Sequence, residues 1–251
     1  MRWIVFNFAR LTILKMKLDI LAFGAHPDDI EISAGGMLIS EVRKGKLVGL
    51  VDLTRGEMGT RGTVEIRTAE AEEAARIIGG SVRINLEMPD ATFDLSEENK
   101  MKIIDVIRTY QPDIVITNSP SDRHPDHGRA AQLVVEACFL SGLEKMKVPG
   151  SHNEAWRPRA IYQYMQFYHH VPDFIYDISE VIDEKIRCVL AHKSQFYDPD
   201  SKETETVIAS KQFKDNLSYR ASEYGLQAGF SYGEPFMSVR TIGVKDITSL
   251  F

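Results

Sequence analysis

Short apolar runs alternate with amphipathic segments through the first half of the chain. The apolar runs are typical of buried strands and cover residues 17–25, 47–53, 82–86 and 113–117. The segments that follow them collect their apolar side chains on one side, which predicts helices at 32–44, 63–78, 96–110 and 126–140. Four strand–helix repeats predict an α/β fold, a Rossmann-like parallel sheet with helices on both faces.

After Gly142 the pattern changes. It predicts a strand–helix extension of the same sheet, with strands at 160–167, 174–178 and 236–244 and helices at 179–196 and 206–224. We therefore expect one domain over residues 16–251. Residues 1–15 are interpreted as an N-terminal extension outside the fold, because their apolar run is interrupted by Asn7 and Arg10 and lacks a small-residue cleavage site.

Composition excludes some classes of protein. A net charge of −6 argues against a nucleic-acid surface, and mixed charges without a polybasic patch argue against a membrane surface. The only two cysteines, Cys138 and Cys188, fall within predicted amphipathic helices. We interpret them as small buried side chains rather than a disulfide, which favours a reducing, cytoplasmic location.

Two polar clusters follow predicted strands. The sequence from Gly24 to Glu31 comes directly after the first strand, and Arg123 to His127 follows the strand at 113–117. Because the carboxyl ends of parallel strands lie at one edge of a sheet, where ligands bind, we expect the clusters to meet. Their histidines and aspartates indicate that they bind one metal ion.

The donor atoms favour zinc, one ion per subunit. His26, Asp29 and His127 would supply three ligands, and the fourth position would hold water, as in a catalytic zinc site. Asp28 is adjacent to a ligand and remains available as a base. A lone histidine is more often a core or surface residue, and an aspartate at such a position could simply cap a helix. Two His-Pro-Asp motifs at matching strand ends argue for the metal site.

A glycine-rich loop at 54–62 follows the second strand and carries Arg55 and Glu57. We predict that it contacts substrate, because functional residues concentrate on loops at this sheet edge; the alternative is a plain surface loop. The turn after the first strand lacks the Gly-x-Gly-x-x-Gly pattern of dinucleotide sites, and its aspartates would repel phosphate. The sequence also lacks a phosphate-binding Gly-Lys-Ser/Thr motif.

The motifs Ala25-His-Pro-Asp-Asp29 and His124-Pro-Asp-His127 resemble those of the PIG-L/LmbE family of zinc-dependent N-acetylglucosamine deacetylases. The resemblance extends from about Lys17 onward. Further motifs resemble the subgroup that deacetylates N-acetylglucosaminyl malate in bacillithiol biosynthesis; they lie at 52–62, 85–90, 122–124, 194–196 and 234–236.

This resemblance implies the same three metal ligands, with Asp28 as the general base. It further implies that His124 stabilises the oxyanion and donates a proton, that Asp126 orients His124, and that Arg55 and Arg123 bind sugar hydroxyls or malate carboxylates. A homo-oligomer is implied as well, and related enzymes are often hexamers. Two alternatives remain: a zinc amidase for other N-acetylglucosamine derivatives or thiol conjugates, and a non-catalytic metal- or sugar-binding protein. A spare carboxylate beside an open zinc position argues against the second.

Overall fold

Seven strands form one sheet in the computed structural model, which describes residues 16–250. The predicted extension at 1–15 lies outside the described residues. The strands are β1 (Ile20–Gly24), β2 (Val48–Thr54), β3 (Val82–Met88), β4 (Ile114–Thr117), β5 (Ala160–Tyr164), β6 (Phe174–Asp177) and β7 (Gly233–Ser238). The main helices are α1 (Asp29–Arg43), α2 (Val64–Ile78), α3 (Glu97–Tyr110), α4 (Pro125–Ser141), α5 (Ile182–Val189) and α6 (Lys211–Ala228).

The strand order is β3-β2-β1-β4-β5-β7-β6. β1 to β5 pair in parallel, whereas β7 pairs antiparallel with both β5 and β6. The α/β fold and its C-terminal extension are therefore confirmed, with the correction that the extended sheet is mixed. The chain builds outward from β1 to β3 and then returns to place β4 on the other side of β1. Ligands bind in such sheets at the strand ends where the order reverses, which is here between β1 and β4.

Helices cover both faces of the sheet because each central strand is apolar on both sides. In β1, Ile20 and Ala22 belong to a core beneath α1 and α2, and Leu21 and Phe23 belong to a second core beneath α3 and α4. All five residues of β1 are buried. Alternate side chains of a strand point to opposite faces, so this one apolar run supports both layers.

Polar side chains mark where the helices begin. Thr63, Ser96 and Ser210 each accept a hydrogen bond from the backbone N–H three residues later, which satisfies a donor that the helix leaves free. α2 and α6 end at Gly79 and Gly229 in the left-handed conformation. No helix within residues 16–250 is both long and apolar enough to cross a membrane.

Lys185 and Glu234 of the C-terminal extension form a buried ion pair, and both side chains make hydrogen bonds to the backbone of α1. The Glu234 carboxylate accepts hydrogen bonds from the backbone N–H groups of Gly36 (2.9 Å) and Met37 (2.7 Å). Lys185 Nζ donates to the backbone carbonyl of Ile32 at 2.8 Å. One turn of α1 is therefore held by charged groups from α5 and β7, and α1 carries Asp29 at its first position.

Candidate metal centre and active site

His26 lies two residues beyond β1, and Asp29 is the first residue of α1. The backbone N–H of His26 donates to Asp29 Oδ2 at 3.0 Å, which closes the turn between strand and helix. Gly24 allows close packing in this turn, since a Cβ there would lie 3.1 Å from Ile30 Cγ1 and 3.2 Å from Asp29 Cβ. The turn directs the imidazole and the carboxylate to the same place, with His26 Nδ1 3.6 Å from Asp29 Oδ2.

The second cluster lies at the start of α4, beyond β4. His124 is the N-cap of this helix, and its Nδ1 accepts a hydrogen bond from the backbone N–H of Asp126 at 3.2 Å. His127 is in the first turn, and its Nε2 lies 3.2 Å from Asp29 Oδ1. The ring centroid of His124 is 4.7 Å from that of His26 and 5.4 Å from that of His127. The two predicted clusters therefore meet at the sheet edge.

The chemistry of the donor set, imidazole nitrogens and a carboxylate, fits zinc. Zinc–ligand distances of 2.0–2.1 Å place neighbouring ligand atoms about 3.3 Å apart. The two oxygens of Asp29 lie 3.6 Å from His26 Nδ1 and 3.2 Å from His127 Nε2. His26, His124 and His127 also offer ring nitrogens within 4.8 Å of one another. Among the described residues the three histidines form a convergent group of ligand atoms, whereas Asp29 approaches His26 and His127 through different oxygens. Asp29 and His124 are both candidates for the third donor.

In both His26 and His127, the ring nitrogen that does not face Asp29 lies within hydrogen-bond distance of another carboxylate. His26 Nε2 lies 3.0 Å from Asp90 Oδ1 and 3.2 Å from Asp126 Oδ2, and His127 Nδ1 lies 2.8 Å from Asp122 Oδ2. Metal-binding histidines characteristically donate their second ring N–H to a carboxylate, which fixes the tautomer and the ring orientation. These carboxylate acceptors favour His26 and His127 as the metal-binding pair.

Asp29 is held as a carboxylate by its surroundings. Gln166 donates to its Oδ1 at 2.9 Å, and Asn118 donates to its Oδ2 at 3.3 Å. Burial alone would raise the pKa of Asp29, but the charge of His127 and the hydrogen bonds from His127 and His26 lower the pKa well below its usual value. The group is therefore ionised and oriented, as a metal ligand must be.

Asp28 is almost fully buried, with 5% of its surface exposed. Burial raises the pKa of Asp28 to about 6, against the opposing charge of Arg67, whose Nη2 lies 3.5 Å from Asp28 Oδ2. Arg67 also donates to the backbone carbonyls of Pro27 and Gly56. Gly56 has a φ of 67°, which favours glycine, and a Cβ there would displace the Arg67 guanidinium. A carboxylate with such a pKa can accept a proton near neutral pH.

His124 is held as a neutral imidazole. Burial lowers the pKa of His124, and the charges on His26 and His127 lower it further. Because its Nδ1 accepts the N–H of Asp126, its proton is on Nε2, the nitrogen that can donate to a ligand. The predicted role of the Asp126 carboxylate differs from the geometry. That carboxylate contacts His26 Nε2, the N–H of Ala91 and Arg129, whereas His124 is held by the Asp126 main chain.

The predicted substrate-binding residues border this site less closely. Arg55 is exposed and interacts electrostatically with Glu65. Glu57 accepts a hydrogen bond from the backbone N–H of Asp90 at 2.9 Å, which links the glycine-rich loop to the carboxylate beside His26. Arg123 is exposed and stacks over the Phe167 ring, 4.4 Å from its centroid. None of these three side chains forms a hydrogen bond to the histidine cluster among the described residues.

Three polar residues of the site have no role in the sequence-based hypothesis: Asp90, Asp122 and Gln166. Asp90 follows β3, Asp122 follows β4 and Gln166 follows β5, so all three lie at the same sheet edge as the histidines. Asp90 and Asp122 also follow predicted strands, which was the available signal, whereas Gln166 falls within the strand predicted at 160–167. Their contacts with His26, His127 and Asp29 depend on how the strands are ordered, which the sequence pattern does not specify.

Comparisons with known proteins indicate the family of this chain. Residues 21–138 match the family described as PIG-L, GlcNAc-PI de-N-acetylase. The chain is 33% identical over 187 residues to the diacetylchitobiose deacetylase of Thermococcus kodakarensis, covering 70% of each protein. It is 30% identical over 193 residues to a probable N-acetyl-alpha-D-glucosaminyl L-malate deacetylase 2 of Bacillus cereus, covering 72% of this chain and 84% of that protein.

The fold is similar to that of TT1542, a conserved protein from Thermus thermophilus. The TM-score is 0.81 with 34% sequence identity, and the match covers 91% of this chain and 98% of that chain. The matched family segment contains both histidine clusters, and the identity to two deacetylases reaches 30% or more over most of their length. The chain therefore belongs to the PIG-L family of de-N-acetylases.

Proposed function

We propose that this enzyme hydrolyses the acetamide of an N-acetylglucosamine conjugate in a metal-dependent reaction. The observation that carries the proposal is the convergence of His26, Asp29 and His127 beside Asp28 and His124 at the end of β1 and β4. Three metal donors with an adjacent buried carboxylate suit hydrolysis rather than metal storage, which needs no base.

The proposed metal is zinc, one ion per subunit, held by His26, Asp29 and His127. When bound, zinc supplies a Lewis acid that polarises the amide carbonyl and acidifies water. Each of these side chains has a hydrogen-bond partner: Asp90 for His26, Asp122 for His127 and Gln166 for Asp29. Their positions require little reorganisation when the metal enters, which supports a centre built for tight binding.

Asp28 acts as the general base in this proposal. A pKa of about 6 leaves most of its carboxylate ionised at pH 7 yet basic enough to take a proton from the attacking water. The same group can then return that proton to the departing amine. His124 presents the Nε2–H of a neutral imidazole, so it can donate a hydrogen bond to the amide oxygen as negative charge develops there.

For the substrate we propose N-acetylglucosaminyl malate, as in bacillithiol biosynthesis. The relative from Bacillus cereus and the exposed guanidinium groups of Arg55 and Arg123 support an acidic aglycone, since arginine binds carboxylates in bidentate fashion. Glu57 is proposed to support this edge through Asp90. The alternative is another N-acetylglucosamine derivative, which the higher identity to a diacetylchitobiose deacetylase favours.

We also propose a cytoplasmic homo-oligomer, with a hexamer as the expected size. Both cysteines are buried and unpaired, which is consistent with a reducing compartment. Several large apolar side chains are strongly exposed on the monomer, among them Val171, Leu226 and Ile247. Light scattering coupled to gel filtration tests the assembly, and a monomeric mass would contradict the proposed homo-oligomer.

The deciding experiment measures acetate release from three compounds, with zinc content determined on the same sample: N-acetylglucosaminyl malate, diacetylchitobiose and free N-acetylglucosamine. Strong preference for the malate conjugate is the expected result. Preference for diacetylchitobiose would retain the deacetylase chemistry and replace the substrate. Absence of acetate release from all three by a zinc-loaded sample would refute the proposed function.

A further inference from the structure

We propose that Asp122 is a positioning residue that fixes the proton of His127 on Nδ1 and fastens this imidazole to the segment 166–168. Asp122 lies outside the predicted metal and catalytic residues, five positions before His127 and directly before Arg123. The inference rests on the proposed function to the extent that His127 binds the metal. It adds a residue through which the end of β5 and the metal centre are held in one arrangement.

The two oxygens of Asp122 have separate partners. Oδ2 lies 2.8 Å from His127 Nδ1. Oδ1 accepts the backbone N–H groups of Arg123 at 2.8 Å, Tyr168 at 3.0 Å and Phe167 at 3.2 Å. The side chain of Asp122 is only 1% exposed, so water does not compete for these contacts. One carboxylate therefore joins the start of α4 to the chain that leaves β5.

This arrangement determines the tautomer of His127. A carboxylate only accepts hydrogen bonds, so the nitrogen that faces Oδ2 must carry a proton. A neutral His127 then has its lone pair on Nε2, the atom 3.2 Å from Asp29 Oδ1. Only this tautomer offers Nε2 as a metal ligand. Three N–H donors at Oδ1 keep the carboxylate from exchanging the places of its two oxygens.

The fastened segment itself reaches the metal centre. Gln166 precedes Phe167 and donates its amide to Asp29 Oδ1 at 2.9 Å. The guanidinium of Arg123 stacks over the ring of Phe167. Asp122 thus holds His127 directly and holds Asp29 through the position of Gln166. Two proposed ligands depend on one aspartate that binds no metal itself.

Two substitutions separate these tasks. In Asp122→Asn, the remaining oxygen can still accept the three backbone N–H groups, but the new NH₂ group faces His127 Nδ1. That nitrogen must then accept, so the proton moves to Nε2 and blocks the ligand position. Asp122→Ala removes both sets of contacts. Asp177→Asn is the matched control, because Asp177 is exposed and its carboxylate, among residues 16–250, accepts only from the N–H and hydroxyl of Ser179.

The test measures zinc affinity by competition with a chelator and hydrogen exchange of the Phe167 and Tyr168 amides in the metal-free protein. We expect Asp122→Asn to weaken zinc binding by about 10–100-fold while both amides stay protected. Asp122→Ala should weaken zinc binding and also expose both amides. Asp177→Asn should change neither measurement.

Equal zinc affinity of the wild type and Asp122→Asn would overturn this inference and leave the proposed function intact. Loss of amide protection in Asp122→Asn to the level of Asp122→Ala would overturn it as well, because the effect would then be a general loosening of the segment. A wild-type protein that binds no zinc would instead overturn the metal centre of the proposed function, and the tautomer inference with it.

Discussion

Replacing Glu234 with glutamine should destabilise the protein strongly, although Glu234 lies outside the proposed site. Its carboxylate binds Lys185 and the N–H groups of Gly36 and Met37, and the side chains of Lys185 and Glu234 are 4% and 3% exposed. Glutamine keeps the shape, but its single oxygen can accept from only one of the two backbone N–H groups, because Gly36 donates to Oε1 and Met37 donates to Oε2. The substitution also removes the only negative charge within 4 Å of Lys185 among the described residues.

The expected magnitude follows from the burial of both partners. Removing one member of a buried pair leaves an uncompensated charge and costs about 3–5 kcal/mol. With a urea dependence of about 3 kcal/mol per molar for a chain of this size, the unfolding midpoint should fall by about 1–1.7 M. In Lys185→Met/Glu234→Gln no buried charge remains. The double variant should therefore lose less than the sum of the two single changes, by about 2 kcal/mol.

Urea unfolding, monitored by circular dichroism, measures these free energies of unfolding for the wild type, both single variants and the double variant. Glu184→Gln is the matched control, since Glu184 pairs with Arg43 at the surface, where the side chains are 25% and 50% exposed. It should cost less than about 1 kcal/mol. Additive effects of the two buried changes, each no larger than that of Glu184→Gln, would refute the reasoning.

Five further substitutions, which make four predictions, test the site and its surroundings. Asp28→Asn should retain zinc and lose about 10²–10⁴-fold in kcat, because it removes the base and not a ligand. His127→Ala should lower zinc content, measured by elemental analysis of the purified protein. Arg55→Ala and Arg123→Ala should raise KM for the malate conjugate more than for free N-acetylglucosamine. Glu31→Gln should lower stability at pH 7 by about 3 kcal/mol, because the folded pKa of Glu31 is held at about 2, against 4.5 in the unfolded chain.

The pH dependence of the last variant has a definite sign. Burial would raise the pKa of Glu31, but the charge of Arg83 lowers it, so the group stabilises the fold fully above about pH 4.5. That stabilisation disappears as the pH falls from 4.5 to 2, and the urea midpoints of the wild type and Glu31→Gln should converge there. A constant difference between pH 7 and pH 3 would contradict this assignment.

For each of the other three predictions, one specific result would contradict it. Near-normal turnover in Asp28→Asn would remove Asp28 from the role of base. Full zinc occupancy in His127→Ala would break the proposed ligand set, and His124 would become the candidate in its place. Equal effects of the arginine changes on both sugars would argue against carboxylate recognition, with Arg159→Ala on the opposite edge of the sheet as an arginine control outside the proposed site.

The meeting of His26, Asp29 and His127 could be predicted because it depends on local patterns. Each cluster follows an apolar strand, and parallel strands bring such ends to one edge. The carboxylates behind the histidines could not be predicted in the same way. Asp90 is 64 residues from His26 in the chain, and their contact depends on the loop after β3 reaching across β2 to β1.

The C-terminal helices show where propensity is overridden. The predicted helix at 179–196 ends at Val189, and Ser194 instead binds Glu70 through its N–H and hydroxyl. The helix predicted at 206–224 begins later, at Lys211, and continues through Gly225 to Ala228. Gly225 stays helical because the chain folds back against it; a Cβ there would lie 2.7 Å from the nitrogen of Tyr232. Glycine was needed there for close packing and did not end the helix.

The backbone of Asp28 has a φ of 129°, a conformation that side-chain-bearing residues rarely adopt. Such a conformation costs about 1–3 kcal/mol, and glycine adopts it with little strain. Relief of this strain and loss of the carboxylate beside buried Arg67 therefore act in opposite directions on the stability of Asp28→Gly, and the base is lost in either case. Selection for turnover should accordingly keep the strained aspartate, and a screen for acetate release should eliminate glycine at this position.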